Sequence, residues 1–117
     1  MRELSVHEIT AAVRDLCIQA NMVLPEDLKE TIGCRRRQEP FGLAKQILGD
    51  LEENLAAAGE LQVPICQDTG MAVVFLSLGQ EVHLVDGDLN EAVNEGVRQG
   101  YVQGKLRKSI VRDPLRR

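Results

Sequence analysis

The sequence predicts an α+β fold in which an N-terminal helical cluster is followed by a β-hairpin and a further helix. Three observations favour this class. Apolar residues recur at helical spacing through the first half of the chain, with short connections between the segments. Pro64 interrupts that pattern, and the apolar run at 71–78 has the composition of a buried strand. A last amphipathic stretch of helical period begins at Asp88.

The bulk composition indicates one globular domain over residues 1–117. Of the 117 residues, 44% are hydrophobic and only 3% aromatic, so the core is expected to consist of Leu, Val, Ile and Ala. No apolar run approaches the roughly 20 residues that a membrane-spanning helix needs, and the polar start does not resemble a signal peptide. Three cysteines without close spacing do not suggest a disulfide framework. We therefore expect a cytoplasmic, reducing location and no membrane partner.

Charge is distributed unevenly along the chain. The net charge is −4, which argues against nucleic acid as a partner. Residues 98–117 nevertheless carry seven basic side chains against one acid, Asp113, a local charge of +6. A basic end of this kind can attract an anionic substrate, or it can be a solvated helix end and tail.

Three helices are expected before Pro64. Apolar residues at helical spacing over 6–20 predict the first, with Cys17 packed on its apolar face. Pro25 opens the second helix, because proline suits the first helical turn. The third is expected over 43–58, where Leu, Ile and Ala form one stripe ahead of a stop at Gly59.

The second helix ends near an unusual cluster of a thiol and three arginines. Cys34 is followed directly by arginines at 35–37. Neighbouring positive charges can lower the pKa of a thiol and make it reactive, so one hypothesis is a thiol-redox sensor. The ordinary interpretation is a solvated helix face or loop.

The remaining elements follow the break at Pro64. Residues 71–78 and 82–85 are expected to pair as a hairpin, with His83 on the exposed face and not a ligand. Asp88 is a suitable helix N-cap, and the helix that it opens is expected to end at Gly104. Two glycines four residues apart on its apolar face would allow another element to approach closely. A short strand is possible at 109–111.

The connection at 64–70 carries the densest chemistry. It presents a thiol, a carboxamide, a carboxylate, a hydroxyl and a glycine in succession, at Cys66, Gln67, Asp68, Thr69 and Gly70. From the residue types alone three interpretations stay open. Cys66 is a nucleophile, which would require a histidine base. Alternatively it is a metal or cluster ligand, with Asp68 moving protons and Gln67 holding a substrate oxygen. Otherwise the connection is a structural turn.

The motifs of this chain resemble one enzyme family. The run Val-Pro-Ile-Cys-Gln-Asp-Thr-Gly at 63–70 is similar to the signature of class I fumarate hydratases and L-tartrate dehydratase alpha subunits. Segments 96–101 and 106–115 also resemble that family, in the expected order, and Asn54 and Ala58 fit it as well. The resemblance covers nearly the whole chain.

The resemblance implies a hydro-lyase that reversibly hydrates or dehydrates a hydroxy-dicarboxylate of the fumarate/malate or tartrate type. In that family three cysteines hold a [4Fe-4S] cluster, whose open iron polarises the substrate. By motif match Cys66 would supply one of these thiolates. Gln67 and Asp68 would contact the substrate, with Asp68 as the catalytic proton-transfer residue. Arg107 would bind a substrate carboxylate, which suits a planar guanidinium.

The resemblance also implies that this chain carries only part of the site. The other two cluster cysteines would lie further along, because Cys17 and Cys34 are not in the family's ligand motifs. We therefore expect the N-terminal portion of an alpha subunit, truncated at the C-terminus and inactive alone. Its partners would be the rest of that subunit and a beta subunit or C-terminal domain, in an oligomer. The alternative is a non-catalytic helical assembly module with a structural Cys66 loop.

Overall fold

A computed structural model describes residues 1–116 of the chain. The α+β class is confirmed, since these residues contain two strands and four helices in the order β1 (Arg2–Ser5), α1 (Val6–Met22), α2 (Glu26–Gln38), α3 (Gly42–Leu61), β2 (Val82–Val85) and α4 (Leu89–Gln103). The chain divides into two compact units. One comprises residues 20–66, and the other comprises residues 1–19 with the described residues from Gln67 onward. None of the helices within residues 1–116 is long and apolar enough to cross a bilayer.

Helices α2 and α3 pack against each other within the 20–66 unit. Small residues make room for long charged side chains at this contact. A Cβ added at Gly33 would lie 2.9 Å from a carboxylate oxygen of Glu52, and one added at Gly49 would lie 2.9 Å from the guanidinium of Arg36. Arg36 in turn forms an ion pair with Glu52 at 2.6 Å. The two helices are thus joined by a polar contact.

The ends of these two helices differ slightly from the predicted ones. Helix α2 continues through the arginines at 35–37, where positive charge is favoured by the negative end of the helix dipole. The arginine run therefore lies on a helix face. Helix α3 extends past Gly59 to Leu61 and ends at Gln62, whose φ of 53° is left-handed.

The predicted hairpin is wrong. Residues 71–78 form no regular strand, and β2 pairs instead with β1, in parallel, with Leu4 opposite Leu84. A strand that is apolar on both faces is stable only when both faces are covered, whereas here Phe75 is 93% exposed and Met71 is 69% exposed. Residues 109–111 are likewise not in a strand. The strand at 82–85 and the exposure of His83 are confirmed.

Helix α4 begins and packs as its sequence predicts. The Asp88 carboxylate caps it by accepting hydrogen bonds from the backbone N–H groups of Asn90 and Glu91, at 2.8 and 3.0 Å. Its two buried glycines face α1. A Cβ added at Gly96 would lie 2.7 Å from the carbonyl oxygen of Thr10 in α1. A Cβ added at Gly100 would lie 2.8 Å from the Cβ of Cys17 in α1. The backbones of the two helices therefore approach too closely for side chains between them.

Replacing Gly100 by Ala tests this close contact. The added Cβ would lie 2.8 Å from the Cβ of Cys17 and 2.9 Å from the Arg14 carbonyl oxygen. We expect the free energy of unfolding to fall by about 1–3 kcal/mol, as is typical of overpacking, although Ala is the better helix former by about 1 kcal/mol.

The matched control is Gly59→Ala in α3, where nothing lies within 4 Å of the added Cβ. Helix propensity alone then acts, and the free energy of unfolding should stay the same or rise by up to about 1 kcal/mol. Chemical denaturation of the two variants measures the difference. Equal effects of the two substitutions would contradict the packing described.

Candidate functional site

The candidate site is the connection at residues 64–70, which we call the site loop. The boundary between the two compact units falls inside it, between Cys66 and Gln67. Each half is anchored within its own unit.

The first half of the site loop is held through the backbone of Ile65. Its N–H donates to the carbonyl oxygen of Asn21, and its own carbonyl oxygen accepts from the side-chain amide of Asn54 on α3, both at 2.9 Å. The backbone N–H and carbonyl groups of Ile65, the residue before Cys66, are thus both hydrogen-bonded. Cys66 itself is exposed. The sequence indicated Asn54 only through the family resemblance, and its contact with Ile65 gives it a structural role.

The second half of the site loop has one buried residue among exposed ones. Gln67 and Asp68 are exposed, while Thr69 is buried. The Asp68 carboxylate accepts a hydrogen bond from the backbone N–H of Gly70 at 3.2 Å, the local turn that aspartate favours. Gly70 has a φ of +60°, a left-handed conformation that glycine adopts without steric cost. Gln67 and Asp68 are therefore exposed residues of a defined turn.

Helix α4 and the residues after it hold this half in place. The Tyr101 hydroxyl lies 3.1 Å from the carbonyl oxygen of Thr69 and 3.2 Å from that of Gly70. The Thr69 hydroxyl donates to the carbonyl oxygen of Arg107 at 3.0 Å. The structure therefore brings the backbone of Arg107 beside Thr69, the residue that follows Asp68.

A groove of about 600 Å³ lies beside the site loop. Apolar side chains line most of it, and Arg98 and Lys108 supply positive charge. Arg98 is bound by Glu95 at 2.6 Å, and the hydrogen bonds from Arg98 and Gln99 lower the pKa of Glu95 to about 2. None of the predicted site residues Cys66, Gln67, Asp68 and Arg107 lines this groove. The groove is therefore distinct from the predicted substrate contacts.

The described residues do not form a complete metal site. No group of three or more His, Cys, Asp or Glu side chains within residues 1–116 could hold a metal ion. Cys17 is half-buried on α1, and burial raises the pKa of its thiol, which disfavours the thiolate that a cluster ligand must be. Cys34 lies on α2, beside arginines of which Arg36 is paired with Glu52. Cys66 is thus the exposed thiol among the three, and alone it does not hold a cluster.

Comparison with known proteins identifies the family. Residues 10–117 match the fumarate hydratase (Fumerase) family model, and the chain therefore belongs to the fumarate hydratase family. A protein of Methanocaldococcus jannaschii, provisionally named L(+)-tartrate dehydratase subunit alpha, is 34% identical over 111 residues, or 94% of this chain and 39% of that protein. The L(+)-tartrate dehydratase subunit alpha of Escherichia coli strain K12 is 24% identical over 94% of this chain and 36% of that protein. The chain spans less than two fifths of the length of either relative.

Sequence reasoning missed the role of Tyr101. It is the chain's single tyrosine, and it follows Gly100 on the face of α4 that packs against α1. Its scarcity and its place beside a glycine were the available signals. The hydrogen bonds from its hydroxyl to the site loop join residues more than thirty positions apart, so the sequence around Tyr101 does not indicate them.

Titration of Tyr101 tests its place in the site. Burial chiefly, and the nearby Cys17 thiol second, raise the pKa of Tyr101 above its ordinary value of about 10. Since the folded state favours the neutral phenol, this stabilisation is present below the unfolded pKa and is lost as pH rises through the folded one. The chain contains no Trp, so phenolate absorbance reports this residue. A native midpoint at or below that of the urea-unfolded chain would contradict the prediction.

Proposed function

We propose that this chain is the N-terminal part of the alpha subunit of a hydro-lyase, one that reversibly adds water to or removes it from a hydroxy-dicarboxylate. Membership of the fumarate hydratase family supports the reaction class. The tartrate dehydratase names of the relatives support a substrate of the tartrate or fumarate/malate type.

The arrangement of the site loop carries this proposal. Cys66, Gln67 and Asp68 are all exposed, whereas Ile65 before them and Thr69 after them are held by long-range hydrogen bonds. A thiol and an amide are exposed in this anchored loop, and the Asp68 carboxylate beside them also closes its turn. Loops held by a rigid scaffold are where binding and catalytic residues concentrate. This favours a site over the alternative of a non-catalytic assembly module.

Each exposed residue has a role in the proposed reaction. Cys66 would be one of three thiolate ligands of a [4Fe-4S] cluster, with the other two supplied by the rest of the protein. When bound, such a cluster supplies a Lewis-acidic iron that polarises the substrate. Gln67 would hold a substrate oxygen, and the Asp68 carboxylate would take up or return the proton. Arg107 would bind a substrate carboxylate with its planar guanidinium.

Exposed apolar surface supports the proposed partners. Between Met71 and Leu78, large side chains are exposed by 41% to 93%, as at Met71, Val73, Val74, Phe75, Leu76 and Leu78. Contiguous apolar surface of this kind marks an interaction site. We propose that these apolar side chains are covered by the remainder of the alpha subunit and by a beta subunit or C-terminal domain, within an oligomer. The cytoplasm is the compartment that we propose for this protein, since reducing conditions preserve thiolate ligands.

Replacing Cys66 by Ser tests the proposed function. The variant would be made in the complete alpha–beta pair and reconstituted anaerobically with iron and sulfide. We expect loss of bound iron and sulfide and loss of turnover of malate, fumarate and tartrate, because one thiolate ligand is missing. Cys34→Ser is the matched control, because Cys34 lies on α2 outside the site loop, and it should keep both cluster and activity. A wild-type pair without a cluster, or a Cys66→Ser pair with full activity, would refute the assignment.

Replacing Arg107 by Lys tests carboxylate binding. The positive charge is kept, but the bidentate geometry of the guanidinium is lost. We expect kcat/KM to fall about 10- to 100-fold, mostly through KM, as for the loss of a hydrogen bond to a charged group. Arg112→Lys in the same basic segment should change kcat/KM by less than about twofold, as usual for an exposed charge. Similar kinetics for the two variants would argue against the role of Arg107.

A further inference from the structure

We infer that Thr69 and Tyr101 are positioning residues, which set the Gln67 and Asp68 turn and Arg107 in register for one substrate. This inference rests on the proposed function and deepens it. Neither residue is given a contact with substrate. Their proposed action is through the residues that they hold.

Thr69 links two segments that are distant in sequence. Its hydroxyl donates to the carbonyl oxygen of Arg107 at 3.0 Å across 38 positions of the chain. Among residues 1–116, Thr69 is the polar residue that is buried, with 8% exposure. A buried hydroxyl needs a hydrogen-bond partner, so the Arg107 peptide is held at a set distance from the turn that carries Asp68. Movement of one segment therefore carries the other with it.

Tyr101 holds the other side of the same turn. Its single phenolic hydrogen is shared between the carbonyl oxygens of Thr69 and Gly70, at 3.1 and 3.2 Å. The N–H of Gly70 meanwhile donates to the Asp68 carboxylate. The orientation of the Gly70 backbone thus links the phenol to the carboxylate proposed to move the proton.

The side chain of Tyr101 and the segment that leads to Arg107 both extend from the end of α4. The N–H of Leu106 donates to the Tyr101 carbonyl oxygen at 3.0 Å, and Leu106 is buried at 5% exposure. Lys105 turns the chain between them with a φ of 54°. The backbone of Tyr101 therefore positions the segment entering Arg107, while its side chain positions the site loop. One helical turn sets both halves of the proposed substrate contact.

The Thr69 hydroxyl can be removed without leaving its acceptor unpaired. The Arg107 carbonyl oxygen also accepts from the N–H of Ser109 at 3.1 Å. Thr69→Val keeps the shape of the side chain and removes only the donor, so the fold should survive. Thr69→Ser keeps the donor and removes a methyl group. The two variants separate the hydrogen bond from packing.

The experiment measures kcat and KM in the complete alpha–beta pair containing this chain, for malate, fumarate and tartrate. We expect Thr69→Val and Tyr101→Phe each to lower kcat/KM about tenfold, because the substrate-binding residues are misplaced, with iron content unchanged and the melting temperature lowered only slightly by the lost hydrogen bond. Thr69→Ser should recover kcat/KM to within about threefold of wild type. Thr31→Val is the control, because the exposed Thr31 hydroxyl donates to the Asp27 carbonyl oxygen within α2, and this variant should match wild type.

A double-mutant cycle with Arg107→Lys shows whether Thr69 acts through Arg107. If it does, Thr69→Val should add less than about twofold to the loss already caused by Arg107→Lys. The inference is overturned if Thr69→Val stays within about twofold of wild type, if Thr69→Ser is as poor as Thr69→Val, or if the two losses simply multiply. Failure of the wild-type pair to turn over any of the three substrates would overturn the proposed function, and this inference with it.

Discussion

Helix α4 packs against α1 so closely that an added Cβ at Gly96 or Gly100 would lie within 2.8 Å of α1 atoms. Real Cβ contacts do not reach this distance, so the glycines are required for the packing. The contact fixes the last turn of α4, from which Tyr101 reaches the site loop. Leu106 then leads the chain from that turn to Arg107. The described geometry of the second half of the site loop, from Gln67 to Gly70, depends on this pair of helices.

The helices could be predicted because their signals are local. Each of these signals acts within one or two helical turns: the apolar spacing, Pro25 and the Asp88 cap. Each one marks a helix that the structure contains. The strand pairing could not be predicted in the same way. Strand β1 is only four residues long, Arg-Glu-Leu-Ser, and shows no β-rich pattern of its own. Its partner lies 80 positions away, whereas the local pattern favours the neighbouring apolar run at 71–78 as the partner of β2.

The candidate site likewise has one part that could be predicted from the sequence and one part that could not. The chemical character of Cys66, Gln67 and Asp68 could be predicted, because it follows from residue types in one short run. All three residues are exposed. The support beneath them could not be predicted, because the bonds of Thr69 and Tyr101 join residues more than thirty positions apart. Such hydrogen bonds leave no periodic pattern in a sequence.

We propose that Cys66 is a ligand of a cluster and that Asp68 and Arg107 contact the substrate. A crystal structure of the anaerobic alpha–beta pair with a bound hydroxy-dicarboxylate would show both contacts. We expect a bond of about 2.3 Å between the Cys66 sulfur and iron, typical of a metal–thiolate bond, and a substrate carboxylate on the Arg107 guanidinium. A cluster held entirely by other cysteines, with the Cys66 thiol directed away from it, would refute the proposal.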